Sequence, residues 1–261
     1  MPPVYWINLD VSHKRRHRLV IELERSNITS HYRVPAVCPA ELSLYDIKEC
    51  SEAGPIVPTE WCCTISHLKA IWTAWHDGHE VALILEDDVC VVRSPVQPEV
   101  WRCIEASVPD ENWQILQLLS FGDKAVALMM DNEGPLWVPW SSGMWSTGAY
   151  IINRTGMVNM LQTYAPGTLD MISWTNVRLD FSQMQLRDTS MPQDAKDQRA
   201  RCVADWAIYV AVNTWTCSDV FMSETAEDST IKPVELPLHA KSVQTIAEIA
   251  KGNRYKLKLP L

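Results

Sequence analysis

Three consecutive acids, Glu86, Asp87 and Asp88, are the residues of this chain best placed to do chemistry. They close an uninterrupted apolar run, Val81-Ala82-Leu83-Ile84-Leu85, of the kind that forms a strand covered on both faces. In open α/β sheets ligands bind beyond the carboxyl ends of strands, so the triplet stands where a ligand would arrive. Two carboxylates about 4 Å apart repel by ~4 kcal/mol at an effective dielectric of 20, so converging acids need a cation or raised pKa values. Carboxylate oxygens suit a hard divalent ion, Mg²⁺ or Mn²⁺, which keeps open positions for the phosphate oxygens of a substrate. The triplet also reads as an acidic, solvated turn after a strand, and on these residues alone both readings stand.

Several other chemistries lack their residues. There is no G-x-G-x-x-G and no G-x-x-x-x-G-K-[ST], and the chain has only 9 Gly, so phosphates must be held by other means. Gly143-Met144-Trp145-Ser146-Thr147-Gly148 has one residue too many before Ser146 for a nucleophile elbow, and H-E-x-x-H is absent. Cys38, Cys50, Cys62, Cys63, Cys90, Cys103, Cys202 and Cys217 form no C-x-x-C pair and no Cys/His spacing typical of zinc, which points to reduced structural thiols. With 23 Lys plus Arg against 32 Asp plus Glu, the net charge of -9 provides no overall positive field for nucleic acid. No apolar run of membrane-spanning length and no basic region ahead of an apolar stretch at the N-terminus is visible, so a cytoplasmic location without a transmembrane segment is expected.

The elements that must position the acids alternate as in an α/β domain. Val4 to Leu9 suits a buried strand, and Ser12 offers an N-cap for a charged helix to about Arg25. Residues 31–58 are expected to be irregular apart from a short strand around Tyr32 to Val37. Pro58-Thr59-Glu60 opens a helix whose Ile65, Leu68, Ile71, Trp72 and Trp75 form one core stripe until Asp77-Gly78 ends it. At 100° per residue, Ser66 and His67 lie off the centre of that stripe, facing away from the core or along its border. Trp113 to Leu119 and Thr147 to Ile152 read as further buried strands, and Val203 to Val212 as a helix. We expect a single domain over residues 1–261, with a polar, flexible excursion at 178–201 and an irregular C-terminal segment from about 220.

The order Ile7-Asn8-Leu9-Asp10 with Arg15-Arg16, then Cys62-Cys63-Thr64-Ile65-Ser66-His67-Leu68, then Ala82-Leu83-Ile84-Leu85-Glu86-Asp87-Asp88-Val89, resembles glycosyltransferase family 25. That family includes bacterial lipopolysaccharide glycosyltransferases and collagen galactosyltransferase domains. Thr147-Gly148-Ala149-Tyr150-Ile151-Ile152 and Ala204-Asp205-Trp206 resemble its later glycine-bearing strand and its acidic helix start. The resemblance implies a GT-A-type nucleotide-sugar-binding fold, with a mostly parallel central sheet covered by helices on both faces. It also implies inverting transfer of a sugar, galactose or glucose, from a UDP-sugar to a hydroxyl acceptor on a glycan, a lipid-linked sugar or a glycoprotein.

By the same resemblance, Glu86-Asp87-Asp88 is the D-x-D-like motif, with Glu86 and Asp88 holding Mn²⁺ (or Mg²⁺) and Asp87 on the donor side. Asn8, Arg15, Arg16, Ser66 and His67 would contact the donor, Asp205 would be the general base, and His239 a late metal ligand. Trp140, Trp145 and Trp174 are the tryptophans whose flat faces could stack on the acceptor sugar. Two departures fall at candidate donor contacts: Ala36-Val37-Cys38-Pro39 lacks an acid and a glycine the family carries, and Cys62 replaces a glycine. These departures keep open a catalytically inactive binding module, and the triplet alone also fits a metal-dependent phosphohydrolase.

Overall fold

The computed structural model describes residues 1–48, 57–131, 133–182, 204–225, 236–252 and 257. The strands are β1 (Val4–Asn8), β2 (His31–Pro35), β3 (Asp46–Lys48), β4 (Val81–Glu86), β5 (Val89–Val91), β6 (Ile115–Gln117), β7 (Trp137–Pro139), β8 (Ala149–Asn153), β9 (Arg178–Asp180), β10 (Thr214–Cys217) and β11 (Met222–Glu224). The helices are α1 (His13–Arg25), α2 (Pro58–His76), α3 (Pro98–Ser107), α4 (Asp123–Met130), α5 (Arg154–Tyr164), α6 (Ala204–Val210) and α7 (Leu236–Lys251). The central seven-stranded sheet has the order β2-β1-β4-β8-β6-β10-β7. Within it β2, β1, β4, β6 and β10 run one way, and β8 and β7 run the other.

This is the α/β architecture expected, a central sheet covered by helices on both faces, in which five of the seven strands share a direction and three of the six neighbouring pairs are antiparallel. Alternation along the strands divides the core: Tyr5, Ile7, Ile84 and Tyr150 face one layer with residues of α2, α5 and α6. Val4, Trp6, Leu83, Leu85 and Ile151 face the other, with Leu19 and Leu23 of α1, Val100 and Ile104 of α3 and Val243 and Ile246 of α7. Helix α2 begins at Pro58, where a missing N–H costs nothing, and Val57 N donates to Glu60 Oε2 at 3.3 Å. It ends at Gly78, whose φ of 83° lets His79 N reach back to Ala74 O at 3.3 Å.

Four expectations are corrected. Ser66 and His67 do not face outward; they are 2% and 1% exposed, because α2 is enclosed between the sheet, α5, α6 and the 3₁₀ turn Pro39–Leu44, so a one-stripe reading does not apply. The stretch 31–58 is more ordered than its composition suggests: β2, the 3₁₀ turn and β3 occupy most of its described residues, with residues 49–56 outside the described set. The start of the charged excursion is the strand β9, paired in parallel with β3, while residues 183–201 lie outside the described set. The segment from about 220 likewise carries β11 and α7 rather than irregular chain, since Val243 and Ile246 provide a buried seam.

Candidate active site

β1 and β4 are parallel neighbours, so Asn8 and Glu86 end on the same edge of the sheet. β8 is antiparallel to β4 and brings its own beginning there: Glu86 N donates to Gly148 O at 2.9 Å, and Thr147 Oγ1 donates to Glu86 Oε1 at 2.9 Å. α2 descends over this edge with its N-terminal half, and His67 Nε2 stands 3.3 Å from Glu86 Oε1, with Nδ1 3.1 Å from the Tyr150 hydroxyl. Burial alone would raise the Glu86 carboxyl, but His67, the Thr147 hydroxyl and Arg15 together hold it below the usual carboxylate range.

The next two acids are organised by α1. Asn8 Nδ2 donates to Asp87 Oδ2 at 2.6 Å, and Arg15 pairs with both Asp87 and Asp88. Arg18 donates to Asp87 O at 2.9 Å and to Thr225 Oγ1 at 2.6 Å, while Thr225 N reaches Asp88 O at 2.9 Å. Through β11, whose Glu224 is in register with Val89, a further carboxylate is brought beside Asp88. Burial first, then the charges of Glu224 and Glu86, push Asp88 well above its ordinary value against the pull of Arg15; burial likewise raises Asp87. Both remedies for crowded acids are therefore present, a cation and raised pKa values. Asp88 Oδ1 is buried with no hydrogen-bond partner. The unpartnered Asp88 oxygen and the Glu86 carboxylate are hard donors of the type that Mn²⁺ or Mg²⁺ takes together with substrate phosphates, whereas with Glu224 they do not converge into a three-ligand set among the described residues.

Asp205 lies in the first turn of α6, where Oδ1 accepts a hydrogen bond from Ser146 N at 2.8 Å. One turn later Tyr209 donates its hydroxyl to Ser146 O at 2.7 Å, so α6 holds the Ser146 backbone at both its N–H and its C=O. Ser146 has a φ of 101°, a left-handed backbone rarely adopted by a side-chain-bearing residue and held here by those contacts. Burial and the neighbouring charge of Glu86 lift the Asp205 carboxyl to about 6.

A cavity of about 110 Å³ opens at this edge, bounded by Asn8, Ser12, Arg15, Cys63, His67, Glu86 and Asp87. Pro39 and Cys62, two of the three positions where the sequence departs from the resemblance, also line it. Ser66 lines it too, but its hydroxyl accepts from Val37 N at 2.8 Å and donates to Cys62 O at 2.6 Å, fastening the chain after β2 to α2. Arg16 donates from Nε to Asn8 Oδ1 at 3.1 Å and pairs with Asp10, so it steadies Asn8 from the outer side. Trp140 and Trp145 stand edge to face at 6.4 Å, with Trp140 also on Trp206, whereas Trp174 packs on Trp72 at 5.8 Å, apart from the other two. His239 is on α7, and its side chain lies outside the described residues. Tyr150, Thr147, Ser146, Glu224 and Cys63 join the site without being candidates from the sequence; all but Glu224 lie in segments whose motifs the sequence displays.

The carboxyl edge of the sheet thus gathers neighbouring acids, an arginine paired with two of them and a carboxyl lifted to about 6. Residues 1–173 match the family described as glycosyltransferase family 25 (LPS biosynthesis protein), and the chain belongs to that family. No curated protein matches the chain in sequence. Among solved structures it is similar to one described as a glucose-1-phosphate thymidylyltransferase from Bacillus anthracis in complex with a sucrose, at 9% identity and a TM-score of 0.35 over 96% of both chains. It is also similar to the galactosyltransferase LgtC in complex with donor and acceptor sugar analogs, at 10% identity and a TM-score of 0.32 over 96% of this chain and 95% of that one. A third, a glycosyltransferase involved in glycosylation of the major capsid of PBCV-1, has 13% identity and a TM-score of 0.29 over 83% of this chain and 93% of that one. Among the described residues no helix is long and apolar enough to cross a membrane.

Proposed function

We propose that this glycosyltransferase moves a hexose, galactose or glucose, from a UDP-sugar to a hydroxyl of a glycan, lipid-linked sugar or glycoprotein, with inversion and with the help of Mn²⁺ (or Mg²⁺). The observation that carries this reading is the unpartnered, crowded carboxylate of Asp88 beside Glu86 and Arg15 at the carboxyl edge of the sheet. Asp88 and Glu86 would hold the ion, which when bound supplies a Lewis acid against charge developing on the departing diphosphate. Arg15 adds a fixed guanidinium for the same oxygens, a fork suited to phosphate. Asn8 holds Asp87, and His67 holds Glu86, in the orientations that keep the donor side assembled.

Asp205 takes the proton from the acceptor hydroxyl. A carboxyl lifted to about 6 is ionised at neutral pH yet basic enough to accept it. Inverting displacement asks for one base on the acceptor side. The faces of Trp140 and Trp145, adjoining the Ser146 peptide, would receive the acceptor sugar.

The test is a panel of UDP-sugars assayed for Mn²⁺-dependent hydrolysis, which reads donor choice without knowledge of the acceptor. Turnover of a UDP-hexose that disappears in Asp88→Asn is expected. UDP binding with no turnover across the panel would instead indicate a binding module, and orthophosphate release from simple phosphoesters a phosphohydrolase.

A further inference from the structure

The inner wall of the cavity carries a second donor set, chemically unlike the acids. Cys63, His67 and Glu86 each present a ligand atom, and these atoms all lie within 4.8 Å of one another. No other such trio of His, Cys, Asp or Glu occurs among the described residues. We propose that Cys63, His67 and Glu86 form a transition-metal site, of the kind Zn²⁺ fills, with a fourth position open to the cavity.

Cys63 and His67 are four residues apart on α2 and so share one face of it, while Glu86 meets them from the end of β4. The third ligand comes from another element, which is why Cys/His spacing in the sequence does not announce the site. The 3.3 Å between His67 Nε2 and Glu86 Oε1 is the edge of a tetrahedron whose ligands stand about 2.0–2.1 Å from zinc. Outer contacts of the sort that orient metal ligands are in place, with the Tyr150 hydroxyl on His67 Nδ1 and the Thr147 hydroxyl on Glu86. Three protein ligands facing a cavity match a zinc site that keeps a position for water or substrate. Binding would release the Cys63 thiol proton to solvent. Sulfur and nitrogen donors select a softer ion than the oxygens around Asp88, and the two sites share Glu86, so occupancy of one draws on a ligand of the other.

The proposal goes beyond the transferase reading and is tested without turnover. The full-length chain, stripped with a chelator, is titrated with Co²⁺ as a spectroscopic stand-in and then with Zn²⁺. We expect stoichiometric binding with a thiolate-to-cobalt charge-transfer band, displaced by Zn²⁺. Cys63→Ser should lose the band and weaken Zn²⁺ binding by about tenfold or more, whereas Cys62→Ser and Asp88→Asn should keep it. Absence of the band in the unsubstituted chain, or its persistence in Cys63→Ser, overturns the proposal. Should Cys63→Ser fail to fold, Zn²⁺ must protect Cys63 from iodoacetamide in the unsubstituted protein, read by peptide mass spectrometry; unchanged alkylation overturns the proposal equally.

Discussion

Replacing Asp205 by Asn should separate stability from activity. In the folded chain burial and the charge of Glu86 lift this carboxyl from 3.8 to about 6. At 1.36 kcal/mol per tenfold change in proton affinity, keeping it ionised costs the folded state roughly 3 kcal/mol at most. The sign follows from the raised value: below the unfolded pKa both states are protonated and the cost is absent. It grows between about 4 and 6, where the unfolded chain ionises first, and is fully present above 6. Asn removes the charge and keeps an oxygen to accept from Ser146 N, so Asp205→Asn should be the more stable protein at pH 8 by roughly 1–3 kcal/mol and equal to the parent near pH 3.5. Urea unfolding at a series of pH values measures this. In parallel, transfer by the parent enzyme should decline as pH falls through about 6, and the variant should have little transfer at any pH. A variant that is less stable at pH 8, or one that transfers sugar normally, refutes the reasoning.

Arg15→Gln leaves Asp87 and Asp88 without their shared cation, so it should lower stability by about 3 kcal/mol at neutral pH. The loss should shrink on acidification, because both carboxyls already sit above their ordinary values and take up protons readily, and added Mn²⁺ should raise the Tm of the variant more than that of the parent. An unchanged Tm would show that the pair does not hold these acids. Gly148→Ala would place a methyl 2.7 Å from Leu119 Cδ2 and 3.1 Å from Ser146 Oγ, and a loss of about 1–3 kcal/mol is expected by thermal unfolding. A parental Tm would mean that the loop before β8 has room to spare.

The strand carrying the acids was legible because Val81 to Leu85 has no polar interruption, and α2 was legible from Pro58 and Gly78, whose backbone constraints are local. The burial of Ser66 and His67 was not, because angular counting assumes one solvent face and α2 has packed neighbours on several sides. Asn8, Arg15 and the triplet could be connected only through the resemblance; their hydrogen bonds depend on β1 and β4 lying side by side, a pairing of residues nearly eighty apart. Glu224 belongs to no motif in the sequence and is brought to Asp88 by the pairing of β5 with β11. The positive φ of Ser146 similarly goes with contacts that spacing does not announce: Asp205 and Tyr209 hold its backbone N and O, and its hydroxyl accepts from Gly148 N at 3.0 Å. The buried seam of α7, Val243 and Ile246, stands at a three-residue helical step that the expectation of an irregular C-terminal segment did not use.

The central claim is that Glu86 and Asp88 grip a divalent ion against a nucleoside diphosphate. Crystals grown with MnCl₂ and UDP, measured at the manganese edge, test it most directly. The account predicts an anomalous peak within ligand distance of Asp88 and of a diphosphate oxygen, with Arg15 turned onto the same diphosphate. Ordered UDP bound with no manganese at those acids, or manganese bound elsewhere with the Asp88 carboxylate still facing only Arg15, would contradict it.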